Sequence, residues 1–209
     1  MARSKYKFLT AGPAGTLEGC AQLPDDEPRA VALVAHPLPT EGGSMENKVV
    51  TTLANTLVEL GCATLCFNFR SVGGSAGEFT GGDGEVDDLL AVAQFARDQF
   101  GPLPLVLAGF SFGAYVAARA ARQLDPAQLV LIAPAVQRFA MPPVAPSTLV
   151  IHGELDEVIP LADALNWARP QHLPITVLPD TGHFFHQRLT LLAGLVSRHF
   201  SGTPLPGNP

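Results

Sequence analysis

The feature that most constrains this chain is a repeated change of hydrophobic period: short, continuous apolar runs alternate with segments whose apolar residues recur at helical spacing. Ala30-Val31-Ala32-Leu33-Val34-Ala35 is one such run, and a strand without a polar face has to be buried on both sides. Asn47 to Leu60 then sets Val50, Leu53, Ala54, Leu57 and Leu60 at helical spacing, with Gly61 to end the helix. Further on, the pattern predicts a strand over Ala63 to Phe69, an amphipathic helix over Val86 to Phe100 with Asp83 as its cap, and a strand over Leu103 to Ala108. A helix over Phe112 to Leu124 and a strand over Gln128 to Ile132 follow. After a gap come a strand at Thr148 to Ile151, a helix at Leu161 to Ala168, a strand at Ile175 to Leu178 and a closing helix at His183 to Phe200. Strands alternating with helices of this length predict right-handed βαβ units, and so a mainly parallel sheet with helices on both faces. Residues 5 to 23, around Gly12-Pro13-Ala14-Gly15, add an opening hairpin or pair of strands.

A chain of 209 residues can bury one substantial core, which predicts a single α/β domain over residues 1–200 and a flexible Pro- and Gly-rich tail over residues 201–209. With 47% apolar and 15% charged residues, it has the apolar surface that disordered chains lack. The formal net charge of −6, with Lys and Arg scattered singly, offers no basic stripe for a phosphate backbone and argues against nucleic acid as a partner. No apolar run approaches the roughly 20 residues that span a bilayer, and Met1 to Ala11 lacks the apolar core of a signal peptide. A cytoplasmic protein that does not enter the membrane is expected. Cys62 and Cys66 lie in one strand-like run, about 13 Å apart at the strand rise, which is too far to bridge. Together with Cys20 they read as buried apolar thiols, because no His or second Cys pair stands at metal-ligand spacing.

Two serines sit in Gly-x-Ser-x-Gly: Ser75, in Gly73-Gly74-Ser75-Ala76-Gly77, and Ser111, in Gly109-Phe110-Ser111-Phe112-Gly113. A nucleophile elbow needs a strand directly before the motif and a helix directly after it, so that a tight turn lifts the hydroxyl above the sheet. Small residues on either side permit the close approach of strand and helix that such a turn forces. Ser111 has both neighbours. Ser75 lies between Arg70 and the Gly-rich stretch from Phe79 to Gly84, and reads as a turn residue in a long loop.

A serine hydroxyl is a weak nucleophile until a base takes its proton, and the base needs a carboxylate to fix its tautomer. In folds built around such an elbow the chain order is Ser, then acid, then His, so both partners should stand at later strand ends. The strand at Thr148 runs into His152-Gly153-Glu154-Leu155-Asp156-Glu157, which offers three carboxylates. The strand at Ile175 runs into Pro179-Asp180-Thr181-Gly182-His183, with His186 three residues later. An oxyanion would need two backbone N–H donors, one from Phe112 at the start of a helix and one from the loop after Ala35, where Pro37 has no N–H to give.

His36-Pro37, Asn68-Phe69-Arg70, Gly109 to Gly113, His152-Gly153-Glu154-Leu155-Asp156 and Gly182-His183 occur in this order, and on them the chain resembles the α/β-hydrolase superfamily. Within it the chain is similar to small, lidless dienelactone-hydrolase-like serine esterases, a resemblance that runs from Ala30 to Phe200. The resemblance implies Asp156 as the acid, ahead of Val158-Ile159-Pro160, with Glu154 and Glu157 as alternatives. It implies His183 as the base, with His186 expected one turn into the closing helix. The second oxyanion donor falls at about Leu38, with Thr40 or a neighbouring Gly as substitutes. His36 and His152 read as structural histidines bonded to nearby loops. Arg70 reads either as a contact for an acidic substrate group or as a tie to Asp83 or Glu78.

Larger members of the superfamily carry a lid between the strands at Gln128 and Thr148, whereas here the proline-rich connection from Ala133 to Ser147 has no helical pattern. The resemblance therefore implies an open cleft and small acyl groups. Dienelactone hydrolases use Cys where this chain has Ser111, which favours a small ester or thioester over a lactone. Attack by Ser111, acyl-enzyme formation and hydrolysis would need no metal or organic cofactor. A peptidase with the same three residues, or a catalytically silent binding protein on the same fold, are the alternatives.

Overall fold

In the computed structural model residues 4–202 are described, and among them eight strands form one sheet in the order β1-β2-β4-β3-β5-β6-β7-β8. The hairpin β1 (Lys5–Gly12) and β2 (Gly15–Gln22) is antiparallel, and β2 also pairs antiparallel with β4 (Cys62–Phe67). From β4 onward every pairing is parallel, through β3 (Ala30–Ala35), β5 (Leu105–Phe110), β6 (Gln128–Ile132), β7 (Leu149–Gly153) and β8 (Thr176–Leu178). The apolar runs are buried on both faces because helices cover both. Leu33, Leu107 and Leu131 point into a core shared with α2 (Asp83–Phe100) and α3 (Phe112–Leu124). Their chain neighbours Val34, Val106 and Val130 point into a second core with α1 (Lys48–Glu59) and α5 (Leu189–Gly202). The short α4 (Leu161–Ala168) leads on to β8.

Several boundaries differ from the sequence expectation: β4 stops at Phe67, short of Phe69, β7 runs on past Ile151 to Gly153, and three further shifts bear on the site. Helix α2 starts at Asp83, not Val86, because Glu85 accepts from the N–H groups of Thr80 and Gly82 while Thr80 Oγ1 accepts from Gly84 N–H. That polar network satisfies the free donors of the first turn, so Asp83 lies inside the helix and does not cap it. Strand β5 is displaced two residues toward Ser111 and includes Gly109 and Phe110. The closing helix begins at Leu189, not His183, since Phe185 and Gln187 take left-handed backbone angles, with φ of 53° and 59°, that no helix accommodates. It continues through Ser201 and Gly202, and the rest of the expected tail lies outside the described residues.

Among the described residues no lid stands over the sheet. The connection from Ala133 to Thr148 has neither helix nor strand and is held down along its length. Phe139 stacks on Tyr115 of α3, Trp167 Nε1–H donates to the Pro142 carbonyl, and Val144 N–H donates to Gln171 Oε1. Cys20 stands opposite Cys66 across β2 and β4, and all three thiols are free and buried. Burial pushes the Cys62 and Cys66 thiols up to about 12. Among the described residues no helix is long and apolar enough to cross a membrane.

Candidate active site

The chain leaves β3 to build β4 on one side and returns to build β5 on the other, so β3 and β5 mark a topological switch point where loops diverge and leave a crevice. Ser111 sits at the end of β5 in that crevice. It carries φ 55° and ψ −114°, a left-handed conformation that costs a non-glycine residue about 1–3 kcal/mol and persists only where its surroundings enforce it. The enforcement is visible: Ser111 N–H donates to Ile132 O, and the Ser111 carbonyl accepts from Ala114 and Tyr115 as α3 begins. A Cβ on Gly109 would collide with the Gly113 carbonyl, and one on Gly113 would collide with the carbonyl of Ala35. Both glycines of the motif are therefore required by packing.

Three side chains from three strand ends meet here. Ser111 Oγ donates to His183 Nε2 at 3.1 Å, and His183 Nδ1–H donates to Asp156 Oδ2 at 2.8 Å. All three are buried. Asp156 Oδ1 accepts from the N–H groups of Val158 and Ile159, so both carboxylate oxygens are occupied. Burial alone would raise the Asp156 carboxyl, but the hydrogen bonds from His183 and Ile159 outweigh it and hold its pKa below the ordinary carboxylate value. The arrangement can pass a proton from the hydroxyl to an imidazole whose tautomer and orientation are fixed by an anion. Phe110 lies against the His183 ring at a centroid distance of 5.0 Å.

Phe112 is the first residue of α3, where a helix leaves its N–H groups without intrahelical partners. Leu38 precedes a short 3-10 turn over Pro39–Glu41 and accepts from Glu41 and Gly43, while its own N–H makes no backbone hydrogen bond to another described residue. The neighbouring Gly42 and Gly43 N–H groups are committed to Pro39 O and Leu38 O, which leaves Leu38 and Thr40 as the free candidates in that loop. His36 holds the loop in place. Its Nδ1–H donates to Pro37 O at 2.6 Å and its Nε2 accepts from Phe69 N–H at 3.0 Å, so both ring nitrogens are satisfied only in the neutral state. Burial lowers its pKa to about 4.

The remaining expected residues have other employment. Ser75 Oγ donates to Asn68 O and accepts from Glu18 N–H, fixing the loop against β2. Arg70 does not reach Asp83 or Glu78. It forms a buried, two-pronged ion pair with Asp88 of α2, because that carboxylate can also accept from the Arg70 backbone N–H. His186 is exposed in the turn before α5, outside any helix. Glu157 Oε2 accepts from the His183 backbone N–H, and Glu154 Oε2 from that of Asp180, so both carboxylates brace the loop that carries His183.

Two features had no signal in the sequence. Glu41, in the turn after β3, pairs with Arg138, in the connection after β6, at 2.6 Å. Since β5 lies between β3 and β6, this pair spans the strand that carries Ser111. Around Phe112, the rings of Phe69, Phe79, Tyr115 and Phe139 gather at centroid distances of 5.0 to 6.0 Å and build an aromatic wall beside the motif.

Residues 26–161 match the family model described as serine aminopeptidase, S33, a hydrolase family. A solved α/β serine hydrolase without a lid from Xanthomonas campestris is 42% identical and superimposes with a TM-score of 0.91, covering 100% of this chain and 99% of that one. An α/β serine hydrolase homologue from Coxiella burnetii is 40% identical with a TM-score of 0.86, over 92% and 96% of the two chains. An uncharacterized protein from Rickettsia prowazekii is 37% identical over 143 residues, 68% of this chain. This chain spans 55% of the length of that relative.

Proposed function

The chain belongs to the serine aminopeptidase S33 family of hydrolases, on a lidless α/β-hydrolase fold, and from that premise we propose that it cleaves small carboxylic esters or thioesters through an acyl-enzyme on Ser111. The observation that carries the proposal is the continuous line Ser111 Oγ, His183, Asp156, drawn at hydrogen-bond distances on a strained strand-to-helix turn. In this reading Ser111 Oγ attacks the carbonyl carbon as its proton passes to His183 Nε2, and the oxyanion is held by the N–H groups of Leu38 and Phe112. His183 hands that proton to the departing alcohol or thiol. It then takes a proton from water, whose oxygen attacks the acyl carbon, and returns that proton to Ser111 Oγ as the Oγ–acyl bond breaks and the acid leaves. Three free, buried thiols fit a reducing, cytoplasmic setting.

The reading is tested by fluorophosphonate labelling and by turnover of short p-nitrophenyl esters and matched thioesters, with Ser111→Ala and Ser75→Ala as variants. Loss of both signals in Ser111→Ala alone is expected. A silent wild type, or loss confined to Ser75→Ala, refutes it. The description of the matching family favours one second reading, an aminopeptidase with the same three residues. Aminoacyl p-nitroanilides separate the two, since a peptidase turns them over faster than the esters' chain-length trend predicts.

A further inference from the structure

His152 is the next-to-last residue of β7, fully buried and four residues before Asp156, and its two ring nitrogens are treated very differently. Nε2 lies 2.8 Å from the Ile159 carbonyl, an acceptor, so Nε2 carries the proton. The same nitrogen is 3.4 Å from Asp156 Oδ2, the oxygen that receives His183 Nδ1–H. Ile159 in turn donates its N–H to Asp156 Oδ1 at 2.7 Å, so His152 grips one end of the residue that grips the acid. Nδ1 has no hydrogen-bond partner, one of two buried side-chain polar atoms in that state among the described residues. His36, by contrast, uses both nitrogens. A ring kept only to fill space would not strand a polar atom in the core, where an unpaired acceptor is costly.

We propose that His152 is a positioning residue: its Nε2–H, set between Ile159 O and Asp156 Oδ2, aligns the carboxylate that aligns His183. The inference rests on the reading that Ser111, His183 and Asp156 act together. His152 acts in its neutral form, since a proton on Nδ1 would be buried with nothing to accept it. The titratable groups that bear on the ring are Asp156, which favours its charge, and His183, which opposes it, while burial lowers its pKa. Without the Nε2–H dipole, Asp156 would hold the His183 imidazolium more tightly, and the acid limb of the activity profile would move to higher pH.

The test compares His152→Met, which fills the space without a donor, with His152→Gln, whose amide nitrogen reaches the Nε2 position. Should the Met variant fail to fold, His152→Asn, whose amide stops short, replaces it. With p-nitrophenyl acetate, the Met variant should lose kcat by about tenfold with KM nearly unchanged, and its acid limb should rise, while the Gln variant should recover most of both. In a Ser111→Ala background, where no turnover is needed, the downfield proton shared by His183 and Asp156 should shift or broaden with Met and return with Gln. Wild-type kcat, acid limb and proton signal in the Met variant, or equal losses in Met and Gln, would overturn the proposal. If wild type turns over no ester, the proposal falls together with the function it rests on, and the silent wild type distinguishes that outcome from a failure of His152 alone.

Discussion

At the scale of single residues, protons decide most. His36 is neutral in the folded protein, with its pKa lowered by burial from 6.5 to about 4, so the unfolded chain takes up the proton first as pH falls. The stability it contributes is complete above pH 6.5 and is lost progressively between there and about 4, on the order of 3 kcal/mol in all. Asp156 acts in the same sense further down: its contribution is present above the ordinary carboxylate value and lost as pH drops through its lower folded value. Urea midpoints measured from pH 7 to pH 4 should therefore fall less steeply for His36→Gln than for wild type; equal slopes would assign the loss to other groups. If the proposed roles hold, Asp156→Asn should cost about 10⁴-fold in kcat, as removal of a tautomer-fixing carboxylate does. Glu154→Gln and Glu157→Gln should cost far less, and the reverse ranking would move the acid. Ser111 could be preferred over Ser75 from sequence because an elbow demands its strand and helix next door. The braces from Glu157 and His152 could not be read there, because their partners are a backbone N–H and a carbonyl that only the folded loops bring near.

At the scale of elements, the buried strands were legible because a run such as Ala30 to Ala35 leaves no polar face, and helix α3 because its apolar spacing has clean ends. The closing helix was not. Nothing between His183 and Leu189 is Gly or Pro, and the break comes from left-handed angles at Phe185, whose ring is fully buried, and at Gln187. The elbow gives the sharpest test at this scale. Gly113→Ala drives a methyl group into the Ala35 carbonyl and should destabilise the protein by about 1–3 kcal/mol, as overpacking does, and displace Ser111 besides. Asn47, whose side chain accepts from Val49 N–H at the start of α1, is the contrasting case. Asn47→Ala should cost about 1 kcal/mol of stability and leave the kinetics of the remaining folded protein intact. Chemical denaturation alongside active-site titration distinguishes the two, and equal effects on kinetics would contradict the elbow's role.

For the whole molecule, sheet order governs what fails first. Ser111 rides on β5, flanked by strands on both sides and by helices on both faces, whereas His183 hangs from β8, a three-residue edge strand paired only with β7. Local opening is easiest where few neighbours must separate, so the loop that holds His183 should detach well before the sheet's centre gives way. In a urea series, fluorophosphonate labelling and ester turnover should decline at lower concentration than the far-UV circular dichroism signal, and coincident curves would show a single cooperative unit. A sample can then be folded by any spectroscopic measure of its core and still be inert. Specific activity in this protein would serve as a gauge of the fraying margin of its sheet, sensitive to storage, heat and crowding at doses that the interior does not register.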